Sequence, residues 1–260
     1  MQINKAIELP RKILEVKLDS SPFTHGVIDE FLDEESAQKI ESEFLDFDSQ
    51  KWYQYRNQIE DKKALNDWNC FPPFTYKFFV FLNSKPFLQA LSELIGTALQ
   101  PDPGLNGGGW HCHGKGGNLN PHLDYSIHPK LGLQRKINLI LYLSSQLKPE
   151  HGGQLGLWEH DPTTNAPGRL AKEIDPKFNR AVIFDTTQNS WHGMSRPLIQ
   201  PEGIFRKSLA VYYLCTPSIG ADPRGKALFA PRVDQKDDPA ILNLIKLRSG
   251  VDTASKTYRA

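Results

Sequence analysis

The sequence predicts a mainly β fold, a double-stranded β-helix or jelly roll, with helical support at its N-terminal and C-terminal ends. Three observations carry this. From about residue 105 to 216 the chain runs as short β segments separated by turn residues, a number and spacing that suit two stacked sheets. Before that stretch, two segments place apolar residues at helical spacing behind capping residues, and a third does so after it. No repeat or low-complexity segment interrupts the pattern.

Near the N-terminus, Ile13-Leu14-Glu15-Val16-Lys17-Leu18 alternates and predicts an edge strand, and Ser20-Ser21-Pro22 separates it from the apolar run Phe23 to Ile28. Asp33 is a good N-cap for a helix carrying Ala37, Ile40, Phe44 and Phe47 as a packing face. The segment Trp52 to Phe81 is aromatic and reads as irregular, broken at Cys70-Phe71-Pro72-Pro73-Phe74. It would cover the open side of the barrel or line a substrate mouth. Ser84 can cap a second helix with Pro86 in its first turn, a stripe of Phe87, Leu88, Leu91, Leu94 and Ile95, and Gly96 as its stop.

Pro101-Asp102-Pro103-Gly104 and Gly107-Gly108-Gly109 then form a loop into the jelly-roll core, an architecture shared with cupins. Residues 217 to 237 read as a polar linker. Asp238-Pro239 opens a terminal helix whose buried face would be Ile241, Leu242, Leu244, Ile245 and Leu247, with Gly250 as its stop. The expected organisation is a single domain over 1–260. Residues 1–104 would be helical and irregular support, 105–216 the core, and 217–260 the linker and C-terminal helix.

With 260 residues and a formal net charge of +1, the chain offers no general electrostatic case for nucleic acid or an acidic membrane surface. It has no long apolar span, and Met1-Gln2-Ile3-Asn4-Lys5 lacks the apolar region of a secretory signal, so a cytoplasmic protein without membrane partners is expected. Cys70, Cys112 and Cys215 are odd in number and lack Cys-x-x-Cys spacing, which argues against disulfides and zinc knuckles and for small buried hydrophobes. Composition leaves the oligomeric state open.

The chemistry concentrates in Pro121-His122-Leu123-Asp124-Tyr125. On an extended strand, residues i and i+2 point to one face about 6.6 Å apart. His122 and Asp124 can therefore offer an imidazole nitrogen and a carboxylate oxygen to one ion. Alone the pair is weak. A third candidate ligand, His192, follows the apolar run Ala181-Val182-Ile183-Phe184, within Ser190-Trp191-His192-Gly193. Two histidines and one carboxylate with open positions are the facial set of non-haem Fe(II) oxygenases. Fourteen residues after His192, the strand-like segment beginning Phe205-Arg206-Lys207-Ser208 puts Arg206 and Ser208 on one face. A guanidinium aimed into a barrel must meet an anion to offset its desolvation, and a carboxylate matches its planar fork. The competing account of Arg206 is a structural salt bridge.

The order His-x-Asp, distal His, then Arg-x-Ser resembles the Fe(II)/2-oxoglutarate-dependent dioxygenases, in their prolyl-4-hydroxylase-like branch. Arg135 to Leu143, Gly152-Gly153-Gln154-Leu155 and Asp175 to Arg180 follow the family's order, and the resemblance spans roughly Gly107 to Thr216. It implies an Fe(II) held by His122, Asp124 and His192, with 2-oxoglutarate as cosubstrate, its far carboxylate on Arg206. Dioxygen would be consumed, succinate and carbon dioxide released, and an unactivated C–H hydroxylated, with ascorbate a candidate further cofactor. Members that lack the carboxylate ligand can halogenate, so Asp124 marks a hydroxylase. Tyr142, sharing a face with Asn138 and Ile140, matches the family's tyrosine that bonds the cosubstrate; the alternative is a buried tyrosine bonded to a carbonyl. Ser208 can add a hydrogen bond.

Here the pattern departs: His111 and His113 stand on the entry strand, and relatives commonly have tyrosine near His113. That histidine can bond cosubstrate or substrate, or be structural. His25, His128, His151 and His160 read as surface residues. The substrate stays open between a peptide, as for a prolyl hydroxylase, and a small molecule or glycan. A non-enzymatic cupin-like metal and ligand binder, or carbohydrate recognition through Trp110, Trp158 and Trp191, are further readings.

Overall fold

The structure is a computed structural model that describes residues 3–187 and 189–258; Met1 and Gln2 of the N-terminal reading lie outside the described residues. In chain order the elements are α1 (Ile3–Leu14), β1 (His25–Ile28), α2 (Glu34–Glu43), β2 (Tyr53–Arg56), β3 (Glu60–Leu65), α3 (Pro73–Leu82) and α4 (Lys85–Ile95). There follow β4 (Gln100–Pro101), β5 (Gly109–His113), β6 (Asn118–Leu119), β7 (His122–Leu123), β8 (Gln134–Tyr142), β9 (Leu155–Asp161) and β10 (Ala166–Ile174). The chain ends with β11 (Ala181–Asp185), β12 (His192–Met194), β13 (Arg206–Cys215), β14 (Leu228–Phe229) and α5 (Pro239–Ser249).

All strand pairings among the described residues are antiparallel. One sheet runs β1-β11-β8-β13-β5-β3-β2, with β4 on β13 and β6 on β3; the other runs β10-β9-β12-β7-β14. The expected two-sheet fold is therefore present, with helices flanking it.

Alternation in β8 and β13 decides the layering. Ile137, Leu139 and Leu141 of β8 and Leu209, Val211 and Tyr213 of β13 face one way, into a core with residues of the helices such as Ile40, Phe78, Phe87 and Leu91. Asn138, Ile140, Arg206, Ser208 and Tyr212 face the other way, into a cavity between the sheets. The helices thus seal the outer face of the large sheet, and the inner face is left free for polar chemistry.

The helix caps follow local rules with two exceptions. The Asp33 side chain accepts from Ser36 N at the head of α2, Gly96 ends α4 in the left-handed region, and Asp238 accepts from the Ala240 and Ile241 amides at the head of α5. Ser84 occupies the N-cap of α4 without making a side-chain cap bond. Gly250 ends α5 with extended backbone. Phe44 and Phe47 lie past the end of α2, where Phe47 stacks on Phe205 at 4.6 Å between centroids.

Several expectations are corrected. Ile13 and Leu14 close a helix, not an edge strand; Leu9 and Ile13, four apart on α1, are both buried in the core. The edge strand of the large sheet is β1. The segment Trp52 to Phe81 is regular, holding the β2–β3 hairpin and most of α3. Residues 217–237 contain β14, which pairs with β7 beside His122, so strands from outside 105–216 join both sheets. In α5 only Ile241 is fully buried, and Leu242 is exposed. His25 and His128 are buried; His25 Nδ1 donates to Phe23 O at 2.9 Å, and His128 Nε2 lies 3.5 Å from Asp102 Oδ1. Trp110, Trp158 and Trp191 are buried in clusters and present no open ring face. No described helix is long and apolar enough to cross a membrane. The described cysteines are unpaired, with Cys112 and Cys215 buried.

Candidate metal centre and cosubstrate cavity

His122 and His192 meet because β7 and β12 are neighbours in the small sheet, with the two histidines directly paired. Each ring is held in the same way. His122 Nδ1 lies 2.9 Å from Asn120 O, and His192 Nδ1 lies 2.9 Å from Ser190 O. A carbonyl can only accept, so the proton sits on Nδ1 and the Nε2 lone pair is free to bind a metal. Both Nε2 atoms face Asp124, at 3.8 Å from Oδ1 for His122 and 3.6 Å from Oδ2 for His192. One ligand atom from each residue lies within 4.8 Å of the others.

Charge and burial suit a cation. Burial, with His192 beside it, pulls the His122 imidazole down to about 3, so it stays neutral. Burial pushes the Asp124 carboxyl up, but His192, Arg135, His122 and a Tyr212 hydrogen bond together hold it at about 2. Asp124 Oδ2 is buried and has no hydrogen-bond partner. The Nε2 atoms of His122 and His192 and an orphaned carboxylate oxygen, all converging, fit a divalent metal with nitrogen and oxygen preferences.

Arg135 is the support that sequence reasoning did not assign. Its guanidinium lies 3.6 Å from Asp124 Oδ1, is clamped between the Tyr125 and Tyr212 rings at 3.4 and 3.5 Å, and donates to Asn106 O.

The cluster opens into a cavity of about 510 Å³. Its other wall is the inner face of the large sheet. Arg206 pairs with His113, and Ser208 pairs with His111 on one side and Tyr142 on the other. Arg206 is 6% exposed; its Nε donates to Gly153 O at 2.9 Å, and its guanidinium lies 4.8 Å from the Tyr142 ring centroid. Among the described residues no carboxylate comes within ion-pair distance of it. Gly153 has φ +76°, and a Cβ there would stand 3.0 Å from Arg206 Cδ. The backbone can approach the arginine only because this residue is glycine.

Arg206, Ser208 and His113 line the cavity, whereas Tyr142 sits beside them outside its lining. The Tyr142 hydroxyl is buried without a partner, as are both ring nitrogens of His113. Burial, reinforced by Arg206 and Lys62, drives His113 well below the ordinary histidine value, so its ring is neutral.

A further group of lining residues comes from the hairpin and the C-terminal segment. Glu60 is fully buried; Arg248 Nε donates to its Oε1 at 2.7 Å, the Tyr258 hydroxyl donates at 3.3 Å, and Lys62 Nζ stands 3.8 Å from Oε2. The signal for β3 was present: Glu60, Lys62 and Ala64 alternate onto one face. Nothing local announces Arg248 or Tyr258.

Residues 108–214 match the 2OG-Fe(II) oxygenase superfamily. A prolyl 3-hydroxylase, OGFOD1 of Xenopus laevis, is 27% identical over 217 residues, covering 81% of this chain and 38% of that protein. The chain thus spans well under half the length of this curated relative. Among solved structures, a Phytophthora capsici prolyl 4-hydroxylase aligns with TM-score 0.57 at 23% identity, covering 96% of this chain and 78% of that one. A Trichoplax adhaerens prolyl hydroxylase, solved with a peptide of hypoxia inducible factor, aligns with TM-score 0.54 at 16% identity, covering 82% and 92%. The structural likenesses establish the shared fold. The stretch of residues 108–214 that matches the 2OG-Fe(II) oxygenase superfamily encloses the His122, Asp124 and His192 cluster together with Arg206.

Proposed function

We propose that the chain forms one dioxygenase domain, a hydroxylase in which His122, Asp124 and His192 hold Fe(II) and Arg206 binds the far carboxylate of 2-oxoglutarate. The observation that carries this reading is the pairing of a three-ligand cluster with a buried arginine that the protein supplies with no carboxylate, both on one cavity. When bound, iron and 2-oxoglutarate supply the oxidising power: one atom of dioxygen ends in succinate, carbon dioxide leaves, and the other atom is inserted into an unactivated C–H.

The protein's own share is placement. The carbonyls of Asn120 and Ser190 fix both imidazoles with Nε2 inward, and Arg135 holds the Asp124 carboxylate ionised. Gly153 O and the Tyr142 ring hold the Arg206 guanidinium ready, so little reorganisation is needed to receive a carboxylate. Ser208, Tyr142 and His113 each stand next to that arginine or in register with it; the hydroxyls can donate to the cosubstrate, and the neutral His113 can donate or accept. Core packing on the outer face of the sheet keeps the wall rigid. Ascorbate would serve as an accessory reductant.

A prolyl residue in a peptide is the leading substrate, supported by the prolyl hydroxylases among the relatives; a small molecule or glycan is the alternative within the same chemistry. A non-enzymatic cupin-like binder is the reading from another class. A cytoplasmic setting belongs to the same proposal, and unpaired cysteines suit a reducing compartment. The test is to add Fe(II) and 2-oxoglutarate anaerobically, look for the visible charge-transfer absorption of a chelated complex, then admit air and assay succinate with prolyl peptides, amino acids and sugars. Absorption with succinate is expected, and Asp124→Ala should abolish succinate. Turnover that survives this substitution would refute the assignment, and absorption without succinate across all substrates would favour the binder.

A further inference from the structure

The cavity is lopsided in charge. Lys62, Arg135, Arg206, Lys226 and Arg248 line it, against the carboxylates of Glu60 and Asp124 alone. Two of the cations are matched, Arg135 by Asp124 and Arg248 by Glu60. Arg206 is the cosubstrate's in the reading above. Two cations remain, Lys62 and Lys226, and Lys62 is the one carried on a strand of the large sheet.

Lys62 occupies a defined place. Lys63 pairs with Cys112, so the antiparallel register carries Lys62 opposite His113, which in turn pairs with Arg206. Lys62, His113 and Arg206 therefore form one row across three strands, with the Lys62 and Arg206 backbones about 10 Å apart by strand spacing.

The ammonium is poorly served by its own protein. Its side chain is 13% exposed, it makes no hydrogen bond among the described residues, and it reaches Glu60 only at 3.8 Å, on an oxygen that itself has no hydrogen-bond partner. The other Glu60 oxygen is taken by Arg248 and Tyr258. Beside Lys62, both His113 nitrogens are buried and unpartnered. A desolvated cation next to idle hydrogen-bonding groups favours an anionic ligand. The Tyr55 ring, 5.0 Å from Lys62 Nζ, and the Tyr53 and Tyr258 rings packed against it form the wall that such a ligand would pass.

We infer that the substrate to be hydroxylated carries a carboxylate, held by Lys62 with His113 beside it. The inference rests on the dioxygenase reading, which assigns Arg206 to 2-oxoglutarate. The carboxylate can be that of a free acid or of an acidic residue in a peptide. Two probe pairs separate these sources: N-acetyl-L-proline against its amide, and a short peptide with Glu beside proline against the same peptide with Gln.

The experiment uses the wild-type chain, Lys62→Met and Lys62→Arg. Anaerobic absorption with Fe(II) and 2-oxoglutarate comes first; its failure in the wild type would sink the dioxygenase reading itself, and its persistence in the variants shows an intact centre. Succinate formation is then measured against probe concentration. In wild type, the acidic member of at least one pair should be preferred by about tenfold in kcat/KM. Lys62→Met should erase that preference through KM, and Lys62→Arg should retain it. The inference is overturned if neither pair is discriminated by charge, including the case in which no probe raises succinate formation. It is equally overturned if Lys62→Met raises the half-saturating concentration of 2-oxoglutarate instead.

Discussion

Arg135 and Arg206 both stand on the inner face of the large sheet, both are buried, and both lie against tyrosine rings, yet their surroundings differ in kind. Arg135 has an ion pair with Asp124, a ring on either side and a carbonyl to donate to. Arg206 has one carbonyl and one ring, with no carboxylate among the described residues. A buried guanidinium costs several kcal/mol unless its charge is met. The protein meets that cost internally for the arginine beside Asp124. For the other, the proposed reading takes the counter-charge from a ligand. In the reading proposed above, the difference separates a positioning cation from a binding one; strand period alone would put Arg135 on the outer face with Ile137, and a register shift lies between Tyr213 and Leu214 where it pairs.

The comparison can be broken by substituting each arginine in turn. Arg206→Met should raise the half-saturating concentration of 2-oxoglutarate by about 100-fold, since a charged, hydrogen-bonded pair in a buried site contributes about 3 kcal/mol. Arg206→Lys should recover part of this, because a point charge lacks the planar fork. An unchanged saturation curve would make Arg206 structural and erase the contrast.

Arg135→Met should act on the metal instead. Apparent Fe(II) affinity, read by equilibrium dialysis, should fall about 10- to 100-fold, as it does when outer partners of metal ligands are removed. At saturating iron, 2-oxoglutarate dependence should stay as in the wild type. A shift in cosubstrate binding with iron affinity intact would reverse the two roles.

Smaller effects sharpen the picture around Arg206. Tyr142→Phe removes a buried hydroxyl without a partner, so stability to urea should change by less than about 1 kcal/mol. If the hydroxyl reaches the cosubstrate, half-saturation should rise about fivefold; no rise would leave Tyr142 as packing beneath the guanidinium.

The histidines on β5 supply a pH signature. Burial brings His111 down to about 3, and His113 also lies well below the ordinary 6.5. Between pH 6.5 and 4 the unfolded chain takes up protons that the folded chain refuses, so the stability of the metal-free protein should fall as pH falls. Each such histidine contributes at most about 1.4 kcal/mol per pH unit. His113→Phe should flatten the decline seen in urea titrations at stepped pH. An unaltered slope would show that His113 protonates freely in the folded state.

What could be read locally was read where one periodicity had one explanation. Period two through Ile137 to Leu143 and Phe205 to Tyr213 separates an apolar outer face from a polar inner one, so both central strands and the inward aim of Arg206 and Ser208 follow from it. The β2–β3 hairpin escaped because one of its faces looks into a polar cavity, and Glu60-Asp61-Lys62-Lys63 then shows no apolar alternation at all. The N-terminal helix was hidden by Pro10 within it and by the alternation that continues past its end.

The sequence by itself determined the mainly β character with its flanking helices and the pair His122 and Asp124, because strand period and helix caps are properties of neighbouring residues. It also marked His192 and Arg206 as candidates, through order along the chain. Only the tertiary structure decided that Arg135 supports Asp124, and that Glu60, Lys62, Arg248 and Tyr258 share a wall with the metal cluster.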